Sequence, residues 1–91
     1  MKTYELTFLF DPGEDIKKAQ EQIKGWISKA EGKILKEDNW GVKDLAYEID
    51  KKSKAFYLFF KAELPEAAVA KIDKKVKLAE NVLRYLIIAI N

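Results

Sequence analysis

The side chains here with the reach to do chemistry are lysines, carboxylates, tyrosines and a single arginine, Arg84. Histidine and cysteine are both absent, which removes the commonest general base, a common nucleophile and most zinc sites. The 15 Asp and Glu residues form no spaced pair that stands out from a solvated helix or strand face. Catalysis is therefore not expected, and neither is a cofactor, a metal or a small-molecule substrate. What remains is binding. Arg84 sits among apolar residues near the C-terminus, an unusual place for a group kept only for solubility, and can grip a phosphate bidentately. Tyr57 and Phe59 belong to one of the most aromatic segments of the chain. Aromatics on a strand can stack single-stranded bases. The match to that pattern is degenerate, with Tyr57 and Phe60 in place but Ala55 where a third aromatic belongs and Ser53-Lys54 at the basic-glycine start. Tyr57 and Phe59 read better as a contact for a protein.

The elements that hold these residues follow from periodicity. Residues 4–10 alternate, with Tyr4, Leu6, Phe8 and Phe10 on one face and Glu5, Thr7 and Leu9 on the other. Asp11-Pro12-Gly13 supplies a turn, and Glu14 and Asp15 put negative charge at a helix start. Ile16, Ala19, Ile23, Trp26, Ile27 and Ala30 then recur at helical spacing. Gly32 fits the stop of that helix, and Gly25 inside it suggests close packing. A second strand covers residues 33–49, with Asn39-Trp40-Gly41 marking a bulge or bend, and a charged turn covers 50–53. In a third strand over residues 54–64, Phe56, Leu58 and Phe60 share one face and Tyr57 and Phe59 the other. Pro65 and Glu66 open a second helix, with Val69, Ile72 and Val76 as its buried stripe and Ala68 and Leu78 as helpers. Residues 81–90 form the last strand, apolar on both faces through Leu83, Leu86, Ile87, Ile88 and Ile90.

The order is β-α-β-β-α-β. Right-handed crossovers turn it into an α+β, ferredoxin-like fold: a four-stranded antiparallel sheet with both helices on one face. Leu6, Phe8, Ile23, Trp26, Leu45, Leu58, Ile72 and Val76 are the expected core. The opposite face, carrying Tyr57, Phe59, Leu86 and Ile88, has no cover within the chain, and such a patch marks an interaction site. Acylphosphatases share the topology but hold phosphate in an amide loop with an arginine. Here the equivalent turn is acidic and the arginine lies on the last strand.

The 91 residues suit one domain, residues 1–91, and 48% apolar with 35% charged composition suits a folded, soluble chain. No apolar run reaches the length of a membrane span and no signal-peptide pattern opens the chain, so no membrane partner is expected. Zero cysteines fit a reducing cytosol. A net charge of +2 does not by itself announce a nucleic-acid binder.

At Trp40-Gly41-x-Lys43-x-Leu45-Ala46-Tyr47-x-Ile49 the chain resembles the bacterial small-subunit ribosomal protein S-six (S6) family, which has a Trp/Leu-Gly-basic-basic-x-Leu-Ala-Tyr-x-Ile signature in its second strand. Tyr4-Glu5, Asp11-Pro12, Glu31-Gly32-Lys33-Ile34, Lys54-Ala55-x-Tyr57, Glu63-x-Pro65-Glu66 and Asn81-Val82-x-Arg84 extend the resemblance over essentially the whole chain. Val42, Asp44 and Glu48 depart from the family pattern and lower the positive charge of the second strand. Many members continue past the last strand into a polar tail that touches a partner protein. This sequence stops at Asn91, so that contact is expected to be absent or trimmed.

The resemblance implies a structural, cytoplasmic protein of the small ribosomal subunit. It would bind the central domain of small-subunit ribosomal RNA together with ribosomal protein S-eighteen (S18). It also implies that Lys2, Tyr4, Lys43, Lys77 and Arg84 occupy positions where the family presents basic or aromatic groups to RNA. The competing expectation is a homo-oligomeric regulatory or ligand-binding module of the same fold, with its sheet face buried against its own copy.

Overall fold

The computed structural model describes residues 1–49 and 51–90. Strand β1 (Lys2–Phe10) is followed by helix α1 (Ile16–Lys29), strands β2 (Lys33–Ile49) and β3 (Lys52–Leu64), helix α2 (Glu66–Leu78) and strand β4 (Val82–Ala89). The strands lie in the order β2-β3-β1-β4, and every neighbouring pair is antiparallel. The expected third strand began at residue 54. It starts two residues earlier, because Lys52 already pairs with Ile49. Of the expected turn at 50–53, Asp50 lies outside the described residues.

One side of the sheet carries the core. Tyr4, Leu6, Phe8 and Phe10 of β1 and Leu58, Phe60, Ala62 and Leu64 of β3 meet Ala19, Ile23 and Ile27 of α1 and Ala68, Ile72 and Val76 of α2. Burying this many large apolar side chains is the main favourable term in the fold. Two of the residues expected in the core stand elsewhere. Trp26 is only half-buried and packs at the cluster's margin, whereas Leu45 lies outside it, where β2 has left the regular ladder. Leu78, expected as a helper on α2, is 76% exposed because it ends the helix beyond the last buried turn at Val76.

The helix ends follow local chemistry, with corrections to the reading of the glycines and of Pro65. Asp15 caps α1 by accepting a hydrogen bond from the Lys18 N–H at 3.2 Å. At the other end Gly32 N–H donates to the Ile27 carbonyl at 2.8 Å and Glu31 N–H to the Ser28 carbonyl at 3.0 Å. That is a Schellman closure whose left-handed residue is Glu31, with φ 63°, and not the glycine. Gly32 is needed for space, since a Cβ there would come within 2.3 Å of Leu64 Cδ2 and 2.8 Å of Ile27 Cγ2. Gly25, expected in close packing, faces open space instead, with nothing within 4 Å of its Cβ position. Pro65 is the cap of α2 and not its first helical residue, which is Glu66.

A candidate interaction face on the open side of the sheet

In an antiparallel sheet, directly paired residues share a face. Leu9 pairs with Tyr57 on one side and with Arg84 on the other, so these three form a transverse row on the side away from the helices. The next row is Phe59, Thr7 and Leu86, and the one beyond is Lys61, Glu5 and Ile88. The open face is thus apolar and aromatic near Tyr57 and Phe59, and becomes charged toward Lys61. Leu86 and Ile88 are 56% and 45% exposed, which is costly for strand residues unless something covers them.

Strand β2 completes this face through an irregularity. The register slips between Asn39 and Gly41, leaving Trp40 as the extra residue. Gly41 takes a left-handed φ of 75°, and its N–H donates to Asn39 Oδ1 at 2.9 Å. A bulge of this kind re-aims a side chain, and the Gly41 position opposite Tyr57 has no side chain of its own. The Trp40 ring stacks on Phe59 at 5.1 Å between centroids and 10° between planes, and on Tyr57 at 6.4 Å and 28°. Lys43 Nζ stands 5.3 Å from the Trp40 ring and 5.8 Å from that of Tyr57, an arrangement in which the ring faces attract the cation.

A second irregularity follows. Between the pairs Asp44–Lys54 and Ile49–Lys52, residues 45–48 of β2 stand opposite Ser53 alone. This excess chain arches over the end of the open face. Ala55 is fully buried although it is not part of the helix-side core cluster. The arch, with Leu9, Tyr57 and Arg84, encloses a recess of about 300 Å³.

The residues expected to meet a protein, Tyr57, Phe59, Leu86 and Ile88, are all brought together here. Those expected to meet RNA are not. Lys43 and Arg84 share the open face but stand on opposite edge strands, β2 and β4. Lys2 is tied to α2 through Glu66 at 2.7 Å, and Lys77 to Asp73 at 3.0 Å. The Glu66 hydrogen bond, then its charge, raises the Lys2 ammonium above the ordinary lysine range, and Asp73 does the same for Lys77. Tyr4 is only 5% exposed and belongs to the core cluster. Its alternation with Leu6 and Phe8 carried that signal.

Two members of the site were missed in the sequence. Alternation puts Leu9 on this face but does not mark it for a role. Trp40 was recognised as part of a bulge, but its landing point on Phe59 depends on the register between β2 and β3, which no local pattern encodes. Among the described residues, no three acidic side chains gather as a metal site, and no helix is long and apolar enough to cross a membrane.

A family model described as Ribosomal protein S6 matches residues 3–89. The small ribosomal subunit protein bS6 of Rhizobium leguminosarum bv. trifolii is 39% identical over 95 residues, covering 99% of this chain and 60% of that protein. The bS6 protein of Agrobacterium fabrum is also 39% identical over 95 residues, covering 99% of this chain and 61% of its own length. The chain therefore spans about three-fifths of the length of these curated relatives. Among solved structures, 30S ribosomal protein S6 of Thermotoga maritima superposes with a TM-score of 0.90 at 20% identity, over 98% of this chain and 87% of that one. The P2 domain of the chemotaxis kinase CheA from the same organism, solved in complex with the response regulator CheY, gives a TM-score of 0.66 at 12% identity, covering 98% of each chain. Both superpositions report the ferredoxin-like fold.

Proposed function

The chain belongs to the ribosomal protein S6 family, and from that premise we propose that it is a structural component of the small ribosomal subunit which docks a protein partner on its open sheet face and, with that partner, binds the central domain of small-subunit ribosomal RNA. The observation that carries this reading is the Trp40–Phe59–Tyr57 stack continuing into Leu9, Leu86 and Ile88 on a face that no helix covers. The partner is S18, as the family resemblance implies. The lysines proposed for RNA are Lys2, which pairs with Glu66 of α2, Lys77 of α2, which pairs with Asp73, and Lys43 of β2, and their scatter favours a few phosphate contacts over a basic groove. The site of action is the cytoplasmic ribosome, and no chemistry is performed.

The test is a titration of the chain, alone and mixed with S18, against a fragment of central-domain ribosomal RNA at several salt concentrations. Stable RNA binding only by the mixture, with a shallow dependence on salt, is the expected result. Equal binding by the chain alone would remove the protein partner from the account. The reading as a homo-oligomer is separated by light scattering: a tight dimer in the absence of other components would favour it over a hetero-partner.

A further inference from the structure

The recess at the end of the open face holds one cation in apolar surroundings. Leu9, Leu45, Ile49 and Tyr57 line it together with Glu48 of β2 and Arg84 of β4. Among the described residues the Arg84 side chain has no hydrogen-bond or ion-pair partner, although five lysines of this chain make ion pairs. The family resemblance implies an RNA phosphate as the partner of Arg84. A phosphate site gathers several cations or backbone amides, and here Arg84 is the one cation of a lining that also carries Glu48, which leaves no net positive charge for a dianion. Lys2 and Lys77 are both engaged with carboxylates of α2 instead. A guanidinium beside a tyrosine ring and aliphatic side chains matches a single carboxylate whose neighbours are apolar, because its fork pairs both oxygens while the flanking groups fill the recess.

We propose that Arg84 and the recess beneath residues 45–48 form a subsite for an acidic side chain flanked by apolar residues, presented by the protein partner of the open face. This rests on the reading that the open face meets a protein and gives that partner a chemistry. The guanidinium fork and the apolar lining decide the occupant: with Glu48 present there is charge for a monoanion only, and the complement of Arg84 beside Leu9, Leu45, Ile49 and Tyr57 is one carboxylate set in apolar surface.

Two peptides test it, acetyl-Leu-Glu-Phe-amide and its Gln counterpart, each titrated into the isotopically labelled chain and followed by NMR. Inorganic phosphate and a short central-domain RNA fragment serve as further arms. The Glu peptide is expected to move the Arg84 side-chain resonance and the Leu9 and Tyr57 amides, and to bind about fivefold more tightly than the Gln peptide. Arg84→Gln should erase that difference and Arg84→Lys should keep part of it. Both variants should melt as the wild type does, since Arg84 is exposed and bonded to nothing that the fold needs. Equal binding of the two peptides, or no shift with either, overturns the proposal. Movement of Arg84 by phosphate or RNA in preference to the Glu peptide overturns it too and returns the arginine to nucleic acid. In the S18 titration, weakening by Tyr57→Ser/Phe59→Ser but not by Arg84→Gln leaves the open-face reading standing and removes only this subsite. Indifference to both removes the reading itself.

Discussion

The Trp40 indole lies over the Phe59 ring, with centroids 5.1 Å apart and planes 10° from parallel, on the face of the sheet opposite the helices. The core on the other face is complete without it. A stacked aromatic pair adds roughly 0.5–1.5 kcal/mol beyond the area it buries. That contribution also fixes a 43% exposed tryptophan as a flat, rigid surface.

Replacing Trp40 by alanine should therefore lower unfolding stability by only about 1–2 kcal/mol, the stack together with part of the buried area. Urea unfolding checks this. A loss of about 4 kcal/mol, as for a core aromatic, would mean that the ring belongs to the fold and not to a docking surface.

Leu58 of β3 and Leu45 of β2 should behave differently. Leu58 is fully buried in the cluster, so Leu58→Ala should cost about 2–5 kcal/mol. Leu45 stands outside the cluster, and Leu45→Ala should cost about 1 kcal/mol or less. Similar losses at both positions would put Leu45 back into the core.

Leu45 also marks where the sequence stops being readable. Strict alternation located β1 and β3, and 3.6-residue spacing located both helices, because each of these elements buries one regular face. From these come the βαββαβ order, the uncovered side of the sheet and the shared face of Tyr57 and Phe59. Strand β2 is different. It departs from regular register after Ile34, after Asn39 and after Asp44, and each slip exchanges the faces of every residue that follows. Leu45, Trp40 and the recess all depend on those slips. The glycines failed for another reason: whether a Cβ fits at Gly25 or Gly32 is decided by neighbours distant in sequence, Leu64 in the second case.

Opposite signs are accordingly expected at those glycines. Gly25→Ala removes a weak helix residue where space is open, and should stabilise by up to about 1 kcal/mol. Gly32→Ala forces a methyl group into Leu64 and Ile27, and should destabilise by about 1–3 kcal/mol. Thermal unfolding of the two variants side by side is sufficient, and a stabilising Gly32→Ala would refute the close packing of Gly32 against Leu64.

The contact between α2 and β4 should show in the pH profile. The Tyr85 hydroxyl donates to Asp73 Oδ1 at 2.5 Å, and Lys77 stands 3.0 Å from the other carboxylate oxygen. The Tyr85 bond first, then Lys77, holds Asp73 below the usual carboxylate range. A depressed carboxyl contributes stability above its unfolded range and loses it as pH falls through its lower folded value. The Asp73 bond raises Tyr85 above the usual phenol range, so its contribution holds below the unfolded phenol range and is lost as pH rises through the folded value. Tyr85→Phe should flatten the alkaline limb of the stability profile and weaken the acid limb, with Lys77 retaining part of the latter. A profile identical to wild type at both ends would show that the bond contributes nothing.

The open sheet face as a protein-docking surface is tested most directly by the affinity of the Tyr57→Ser/Phe59→Ser double variant for S18, measured by calorimetry beside its melting temperature. Both residues lie on the open face and outside the core cluster. The account predicts at least about a tenfold loss of affinity, the usual scale for removing central aromatic anchors, with a shift in melting temperature of only about a few degrees. Wild-type affinity in the variant would contradict it, as would a collapse of the melting temperature comparable to that of Leu58→Ala.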